Sequence, residues 1–294
     1  MLRTPAQPGA TGPTPAAHRN DSATKDWEPG TGNCKLDGMG EVIYGIHAVS
    51  EALKRRERRF DYVAVSRDRT DPRMQRIIDD CRDQGVSVRF VPREEIDRAT
   101  RTSTHQGVMA FTSRKAYADI DDLVANRRGS HLFLLVLDGI EDPQNLGALL
   151  RSADGVGIDG VVIPERRAAG ITGAVVKASA GASEHLAVSR VVNIARTLEE
   201  LKDHNIWTVG LDERATQTYD ELDYNMDCAL VLGAEGKGLH DLVRKKCDLL
   251  VSIPMMGSVS SLNVSVAGGI VMYEALRQRR LKAQAPAAGR SRAE

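Results

Sequence analysis

From residue 131 onward, short apolar runs recur along the chain, with stretches of helical periodicity between most of them. The runs are HLFLLVL, VVIP, HLAVS, IWTVGL, CALVLG and DLLVSIP. Continuously apolar strands that alternate with helices are typical of a mainly parallel sheet covered by helices on both faces. Ligands of such sheets bind at the carboxyl ends of the strands, so the residues directly after each run are the first candidates for a functional site.

The chain divides into segments of different composition. Residues 41–113 alternate helix-like stretches, such as VIYGIHAVSEALKRR, with strand-like ones, such as FDYVAVS, and predict a small α/β domain. A polar linker over 114–130 leads to the second domain, 131–284. The two ends, 1–40 and 285–294, are rich in small and polar residues without hydrophobic periodicity, and we predict disordered tails there.

Composition narrows the class of protein. The hydrophobic content of 41% is that of a soluble globular protein. No apolar run approaches the roughly 20 residues of a membrane span, and the N-terminus lacks a signal-peptide core, so we predict a cytoplasmic location. Because no two cysteines form a C-x-x-C pair, the sequence predicts reduced structural thiols and no zinc site. The cysteines are Cys34, Cys81, Cys228 and Cys247.

The net charge of zero hides an uneven distribution. Residues 41–115 contain 16 Lys and Arg against 12 Asp and Glu, whereas residues 131–284 contain 16 against 20. The basic part includes KRRERR at 54–59. This run could contact phosphates or form a solvated helix end, and both interpretations stay open.

Two glycine-rich stretches resemble nucleotide-binding motifs only superficially. GVGIDG at 155–160 matches G-x-G-x-x-G, but it follows a predicted helix and precedes a strand. We therefore interpret it as a helix C-cap and turn, which leaves a nicotinamide-dependent oxidoreductase as a poorly supported rival. GAEGKGL at 233–239 lacks the spacing and the Ser or Thr of a P-loop.

A predicted helix begins in DPQNLGALLRSADGVG, where Asp142 and Pro143 suit the N-cap and the first helical position. At 100° per residue, Arg151 points away from one apolar stripe, and Asn145 lies in the first turn. Periodicity alone favours an exposed charge and a turn residue at these positions. The stripe consists of Leu146, Leu149, Leu150, Ala153 and Val156.

Two later strands end in unusual sequences. LVLGAEGKGL places Glu235 in a glycine-rich loop, which suits either a ligand or a plain turn. IPMMGSVSSLNVSVAGGIVMYEAL runs from a strand that ends at Pro254 into a helix, and Ser260 or Ser261 could cap that helix. The glycines at 268–269 each cost about 1 kcal/mol relative to alanine in a helix, so close packing or a ligand must compensate.

Together these three stretches resemble the successive motifs of the TrmH-like branch of the SPOUT RNA 2′-O-methyltransferases. Their order and spacing match the family along residues 131–284. VIYGIHAVSEAL and THQGVMA also resemble the N-terminal substrate-binding domain of RlmB-type enzymes. The resemblance implies an α/β fold, in which a SPOUT-type parallel sheet with a C-terminal trefoil knot follows a small α/β substrate-binding domain of the L30e/L7Ae type.

The resemblance also implies a function. The family methylates RNA with S-adenosyl-L-methionine as cosubstrate, uses no metal and usually forms homodimers. RlmB-type enzymes act on a guanosine ribose in the peptidyl-transferase region of large-subunit (23S) rRNA. Alternatives are tRNA or another rRNA ribose as substrate, or an rRNA-binding ribosome-assembly factor without catalysis.

The family pattern assigns roles to individual residues. Arg151 is the family's proposed base, but arginine stays protonated in proteins, so we expect it to bind phosphate and orient the ribose. For His105 a structural role is equally compatible with the sequence. The implied catalytic residues are Asn145, Arg151, Glu235, Ser261 and Asn263. The implied cofactor-binding residues are Leu232, Gly233, Gly236, Ile253, Met255, Ser261 and Leu262. The implied RNA-binding residues are Arg55, Arg56, His105, Gln106 and Arg151.

Overall fold

The computed structural model describes residues 40–68 and 71–284, which form two β-sheets within one compact unit of the chain. The predicted tails and Cys34 lie outside the described residues, except for Gly40 at the end of the first tail. The secondary structure is α/β, as predicted.

The smaller sheet has four strands in the order β1-β4-β2-β3. Strand β4 pairs antiparallel with β1 and β2, whereas β2 and β3 are parallel. VIYGIHAVSEALKRR is not one helix, because Gly45 (φ 96°) separates a strand from a helix within it. The strands are β1 Gly40–Tyr44, β2 Phe60–Ser66, β3 Val88–Val91 and β4 Val108–Ser113. The helices are α1 Ile46–Arg55, α2 Pro72–Asp83 and α3 Arg93–Thr100.

The larger sheet has six parallel strands in the order β10-β8-β9-β5-β6-β7. Helices α5 and α9 cover one face and α7 and α8 the other, which confirms the predicted doubly covered parallel sheet. The threading of a knot stays a prediction. The strands are β5 Phe133–Asp138, β6 Gly160–Pro164, β7 Val188–Val191, β8 Trp207–Leu211, β9 Cys228–Gly233 and β10 Leu249–Val251. The helices are α4 Ile120–Ala125, α5 Pro143–Val156, α6 Gly173–Ala178, α7 Ile194–Asp203, α8 Asp241–Lys246 and α9 Val264–Gln284.

Helix α5 forms as its sequence predicts. The Asp142 carboxylate accepts hydrogen bonds from the backbone N–H groups of Gln144 and Asn145, at 3.1 and 3.3 Å. All five residues of the apolar stripe are buried. Gly157 ends the helix with φ 76°, so GVGIDG is a helix C-cap and turn, as interpreted.

The predicted linker packs against the larger sheet. It contains α4, whose Leu123 is fully buried. A Cβ at Gly160 would lie 2.5 Å from Cγ of Leu123, so only glycine leaves room for this contact. The backbone N–H of Ala118 also donates to the carbonyl of Val188 at 2.8 Å. The segment around α4 is therefore part of the folded core.

A buried ion pair joins the two sheets. Arg58, 4% exposed, donates from Nε and Nη2 to both carboxylate oxygens of Glu184, at 2.8 and 2.9 Å, and Glu184 is 2% exposed. Nη1 of Arg58 donates to Glu41 at 2.7 Å. The KRRERR run therefore contains at least one residue with a structural role, because Arg58 is withdrawn from solvent and has fixed partners.

Candidate functional site

A cavity of about 290 Å³ lies at the carboxyl ends of β8, β9 and β10, beside the start of α9. This is the edge of the sheet at which the sequence predicts ligand binding. The structure places all seven predicted cofactor-binding residues in its wall: Leu232, Gly233, Gly236, Ile253, Met255, Ser261 and Leu262.

The glycine-rich loop after β9 folds back tightly on the end of that strand. A Cβ at Gly233 would lie 2.1 Å from the carbonyl carbon of Gly238. Gly236 and Gly238 have φ of 72° and 66°, values that favour glycine. Backbone atoms therefore form much of this wall of the cavity.

Replacement of Gly233 by alanine should disrupt this wall. The new methyl group meets backbone rather than a flexible side chain, so the loop must move, at a cost of about 1–3 kcal/mol. We expect a lower melting temperature and loss of measurable S-adenosylmethionine binding by calorimetry. Gly257→Ala is the matched control, because a Cβ at Gly257 has no atom within 4 Å. Equal behaviour of the two variants would contradict the tight fold-back.

The sequence did not predict the part of the wall formed by the end of β8 and the residues after it, 211–214. Asp212 is 6% exposed and accepts hydrogen bonds from the Arg214 backbone N–H at 2.8 Å and from Arg244 Nε at 2.7 Å. Burial by itself raises the pKa of Asp212, but these bonds and charges outweigh it and hold the pKa below its ordinary value. The sequence signal was available, because DER directly follows the run IWTVGL.

Three side chains from three separate segments form a polar network beside the cavity. Asn145 Nδ2 donates to Glu235 Oε2 at 2.9 Å, and Asn263 Nδ2 donates to Asn145 Oδ1 at 3.0 Å. The Asn263 Oδ1 atom must accept, because the Ser265 backbone N–H donates to it at 2.9 Å. This bond fixes the orientation of both amides and directs the Asn145 amide N–H toward Glu235.

Asn263 also caps α9, and the expected serine cap is wrong. Its Oδ1 accepts from the Ser265 N–H, and its carbonyl accepts from the Ala267 N–H at 2.9 Å. Strand β10 ends at Val251 rather than Pro254, and α9 begins only at Val264. The intervening loop leaves Ser260 and Ser261 exposed in the wall of the cavity.

The two helical glycines of α9 have different surroundings. A Cβ at Gly268 would lie 2.6 Å from Cδ1 of Leu232 and 2.7 Å from Cδ2 of Leu149. A Cβ at Gly269 would have its nearest neighbour, Ser152 Oγ, at 3.9 Å. Close packing of α9 on β9 and α5 therefore accounts for Gly268 but not for Gly269.

Arg151 is exposed on α5, opposite the buried stripe. It follows Asn145 by six residues, or about 9 Å along the helix axis. Within residues 40–68 and 71–284, its guanidinium has no hydrogen bond or ion pair. It does not line the cavity, so its charge remains available to a ligand that approaches from solvent.

The other predicted RNA-binding residues differ in exposure. Arg56 is exposed at the C-cap of α1, Arg55 pairs with Glu57, and Gln106 is exposed. His105 is fully buried; its Nδ1 accepts from the Gly107 N–H at 3.0 Å, and its Nε2 lies 2.8 Å from Asp97. For His105 the geometry thus supports the structural role that the sequence had left open.

The thiols within the described residues are free, as predicted. Burial raises the pKa of Cys81 and Cys228 to about 11 and that of Cys247 to about 12, which suppresses thiolate chemistry. In the same part of the chain, no three His, Cys, Asp or Glu side chains gather as metal ligands. No helix there is long and apolar enough to span a membrane.

Comparison with known proteins identifies the family. The model of the SpoU rRNA Methylase family matches residues 132–273, and that of RNA 2'-O ribose methyltransferase substrate binding matches 42–118. The chain is 44% identical to the 23S rRNA (guanosine-2'-O-)-methyltransferase RlmB of Escherichia coli K12, covering 82% of this chain and 100% of that protein. This chain belongs to the SpoU rRNA methylase family. The predicted family is thus confirmed.

Other SpoU relatives agree in sequence and fold. The putative TrmH family tRNA/rRNA methyltransferase YacO of Bacillus subtilis is 45% identical, covering 81% of this chain and 96% of that protein. The SpoU methyltransferase AviRb of Streptomyces viridochromogenes, crystallised with AdoMet, has a TM-score of 0.70 at 24% identity. That match covers 82% of this chain and 91% of AviRb, and it supports the SpoU-type fold.

Proposed function

We propose that this protein transfers a methyl group from S-adenosyl-L-methionine to the 2′-oxygen of a guanosine in large-subunit (23S) rRNA, in the peptidyl-transferase region. The observation that carries the proposal is the cavity at the sheet edge with the Asn145–Glu235–Asn263 network beside it. The printed function of the E. coli relative and the AdoMet complex of AviRb support it.

The cavity suits this cosubstrate. Ile253, Met255 and Leu262 offer apolar surface for an adenine ring, while the exposed carboxylate of Glu213 attracts positive charge. S-adenosylmethionine, when bound, supplies an activated methyl group on a positively charged sulfur. We infer that the seven predicted cofactor-binding residues and the segment 211–214 hold it.

The polar residues beside the cavity would orient the ribose for methyl transfer. In-line methyl transfer requires alignment of the 2′-oxygen and removal of its proton. Glu235 and Asn145 fix the glycine-rich loop against α5 and leave an amide N–H of Asn145 for the nucleotide. We propose that Ser261, exposed in the cavity wall, contacts the cosubstrate or ribose and that Arg151 binds phosphate. A role as base would require Arg151 to give up a guanidinium proton that arginine ordinarily keeps in proteins.

We infer that the enzyme is a homodimer that uses the outer face of α9. Val266, Tyr273 and Leu281 on this helix are 51%, 53% and 54% exposed. A surface groove on the same helix is lined by apolar and polar side chains: Tyr273, Leu276, Leu281, Arg277, Arg280 and Gln284. Apolar area of this kind is typical of subunit interfaces.

Replacement of Tyr273 by aspartate should convert the dimer to monomer, because it removes a large apolar side chain from the interface and introduces a carboxylate that must lose its hydration there. Sedimentation equilibrium at micromolar concentration measures the outcome. Val192→Asp is the control, since Val192 is 83% exposed and lies after β7. A Tyr273→Asp protein that remains as dimeric as the control would contradict this interface.

The experiment that tests the function uses purified protein and methyl-labelled S-adenosylmethionine with unmodified large-subunit rRNA, small-subunit rRNA and tRNA. Label at one large-subunit guanosine, mapped by resistance to alkaline cleavage, would support the proposal. We propose a cytoplasmic location, where the ribosome or its precursor would supply this substrate. Label on tRNA would indicate that the substrate is tRNA rather than rRNA. No label on any RNA, including precursor particles, despite cofactor binding would favour the assembly factor. A melting-temperature rise with NADH instead of S-adenosylmethionine would favour the oxidoreductase.

A further inference from the structure

A second cleft, of about 500 Å³, lies beside the smaller sheet, at the carboxyl end of β2. Its wall is formed by Ser66 at the end of β2, Asp68 after that strand, Arg93 at the start of α3, and Ser103, Thr104 and Gln106 of the loop that precedes β4. Every one of these residues carries a polar side chain. The cleft thus presents hydrogen-bonding groups rather than an apolar surface.

The loop that forms one wall is held in a defined and strained shape. Arg101 and Gln106 have φ of 55° and 59°, which non-glycine residues seldom adopt. Buried His105 anchors the loop through Asp97 and the Gly107 N–H. Such strain persists only where surrounding contacts enforce it, and it clusters at ligand sites.

Two further observations point to a ligand. Ser66 is 3% exposed, yet within the described residues its hydroxyl has no hydrogen-bond partner, and it lines the cleft. Arg93 Nη2 donates to the Ser103 carbonyl at 3.0 Å, which positions the guanidinium at the wall and leaves its other N–H groups available. An acceptor carboxylate, that of Asp68, and a donor guanidinium therefore share one cleft.

We propose that this cleft binds a guanine base of the RNA substrate, an inference that rests on the proposed function. Among the bases, only guanine offers two parallel donors, N1–H and the N2 amine, which one carboxylate can accept together. Its O6 and N7 atoms are the acceptors that arginine binds in a bidentate manner. The Asp68 carboxylate would accept hydrogen bonds from N1–H and the N2 amine, and the Arg93 guanidinium would donate to O6 and N7.

Contacts across the two sheets connect this cleft to the methyl-transfer site. Lys177 on α6 donates to the Thr104 carbonyl, and α6 packs on α5 so closely that a Cβ at Gly147 would lie 2.4 Å from Cβ of Ala178. The buried Arg58–Glu184 pair joins the same two parts. A guanine in the cleft would therefore lie at a fixed distance from the methylated ribose, which would select one nucleotide of a folded RNA.

The test measures fluorescence anisotropy of three labelled single-stranded RNA hexamers, AAGAAA, AAIAAA with inosine, and AAAAAA, on the full chain. We expect AAGAAA to bind most tightly and Asp68→Asn to weaken it about tenfold, to the level of AAAAAA. The inosine probe, which lacks the N2 amine, should bind between the two. Asp83→Asn is the matched control, because it removes the same charge from an exposed residue of α2 that does not line the cleft.

Equal or undetectable binding of the three probes by the unaltered protein would overturn the assignment, as would equal effects of Asp68→Asn and Asp83→Asn. A preference for a cytosine-substituted hexamer would also overturn it. The melting-temperature shift with S-adenosylmethionine and label transfer to total rRNA are measured in parallel. If both persist while the guanine preference is absent, the cleft proposal fails alone. If both are absent, the proposed function has failed.

Discussion

Replacement of Arg151 by alanine is expected to lower kcat for RNA methylation at least about 100-fold, the size of effect seen when one donor to a developing charge is removed. Folding should be unaffected, because Arg151 is exposed and has no hydrogen bond or ion pair within the described residues. Single-turnover label transfer measures the rate, and thermal unfolding checks the fold. An unchanged kcat in this variant would show that Arg151 takes no part in methyl transfer.

The lysine variant separates the two possible roles of this residue. Arg151→Lys keeps the positive charge but loses the planar fork that binds phosphate in a bidentate manner. Near-normal turnover would mean that charge suffices, whereas a loss as large as with alanine would indicate bidentate positioning or proton transfer. Arg196→Ala on α7 is the control, since Arg196 is exposed and pairs only with Glu200 among the described residues.

The largest effect on stability is expected from Glu184→Ala. Arg58 would keep Glu41 but lose both hydrogen bonds to Glu184, and its charge would stay buried. Removing one partner of a buried pair costs about 3–5 kcal/mol, and we expect about 3 because Glu41 remains. For a protein of this size the melting temperature should fall by about 6 °C.

Two variants control this experiment. Glu184→Gln keeps the shape and one acceptor, so it should melt between the unaltered protein and Glu184→Ala. Glu200→Ala removes an exposed ion pair on α7 and should leave the melting temperature nearly unchanged. If Glu184→Ala and Glu200→Ala have the same melting temperature, the buried Arg58–Glu184 pair does not hold the two sheets together.

Local sequence patterns were sufficient to predict helices and strands whose buried residues recur with the period of the helix or strand. The five stripe residues of α5 are all buried, and each of the six apolar runs overlaps one strand of the parallel sheet. The motif resemblance supplied the family, which the comparisons confirm. It also selected residues that the structure brings together, since Asn145 and Glu235 are 90 positions apart but form one hydrogen bond.

The sequence by itself determined the α/β alternation, the parallel sheet and the family, because these depend on periodicity and on motifs within short windows. Only the tertiary structure decided the roles of individual polar residues. Arg58 pairs with a glutamate 126 positions away, His105 is buried against Asp97, and Asn263 rather than a serine caps α9. Burial and pairing depend on which distant segments meet, and a local pattern of polar residues does not encode that.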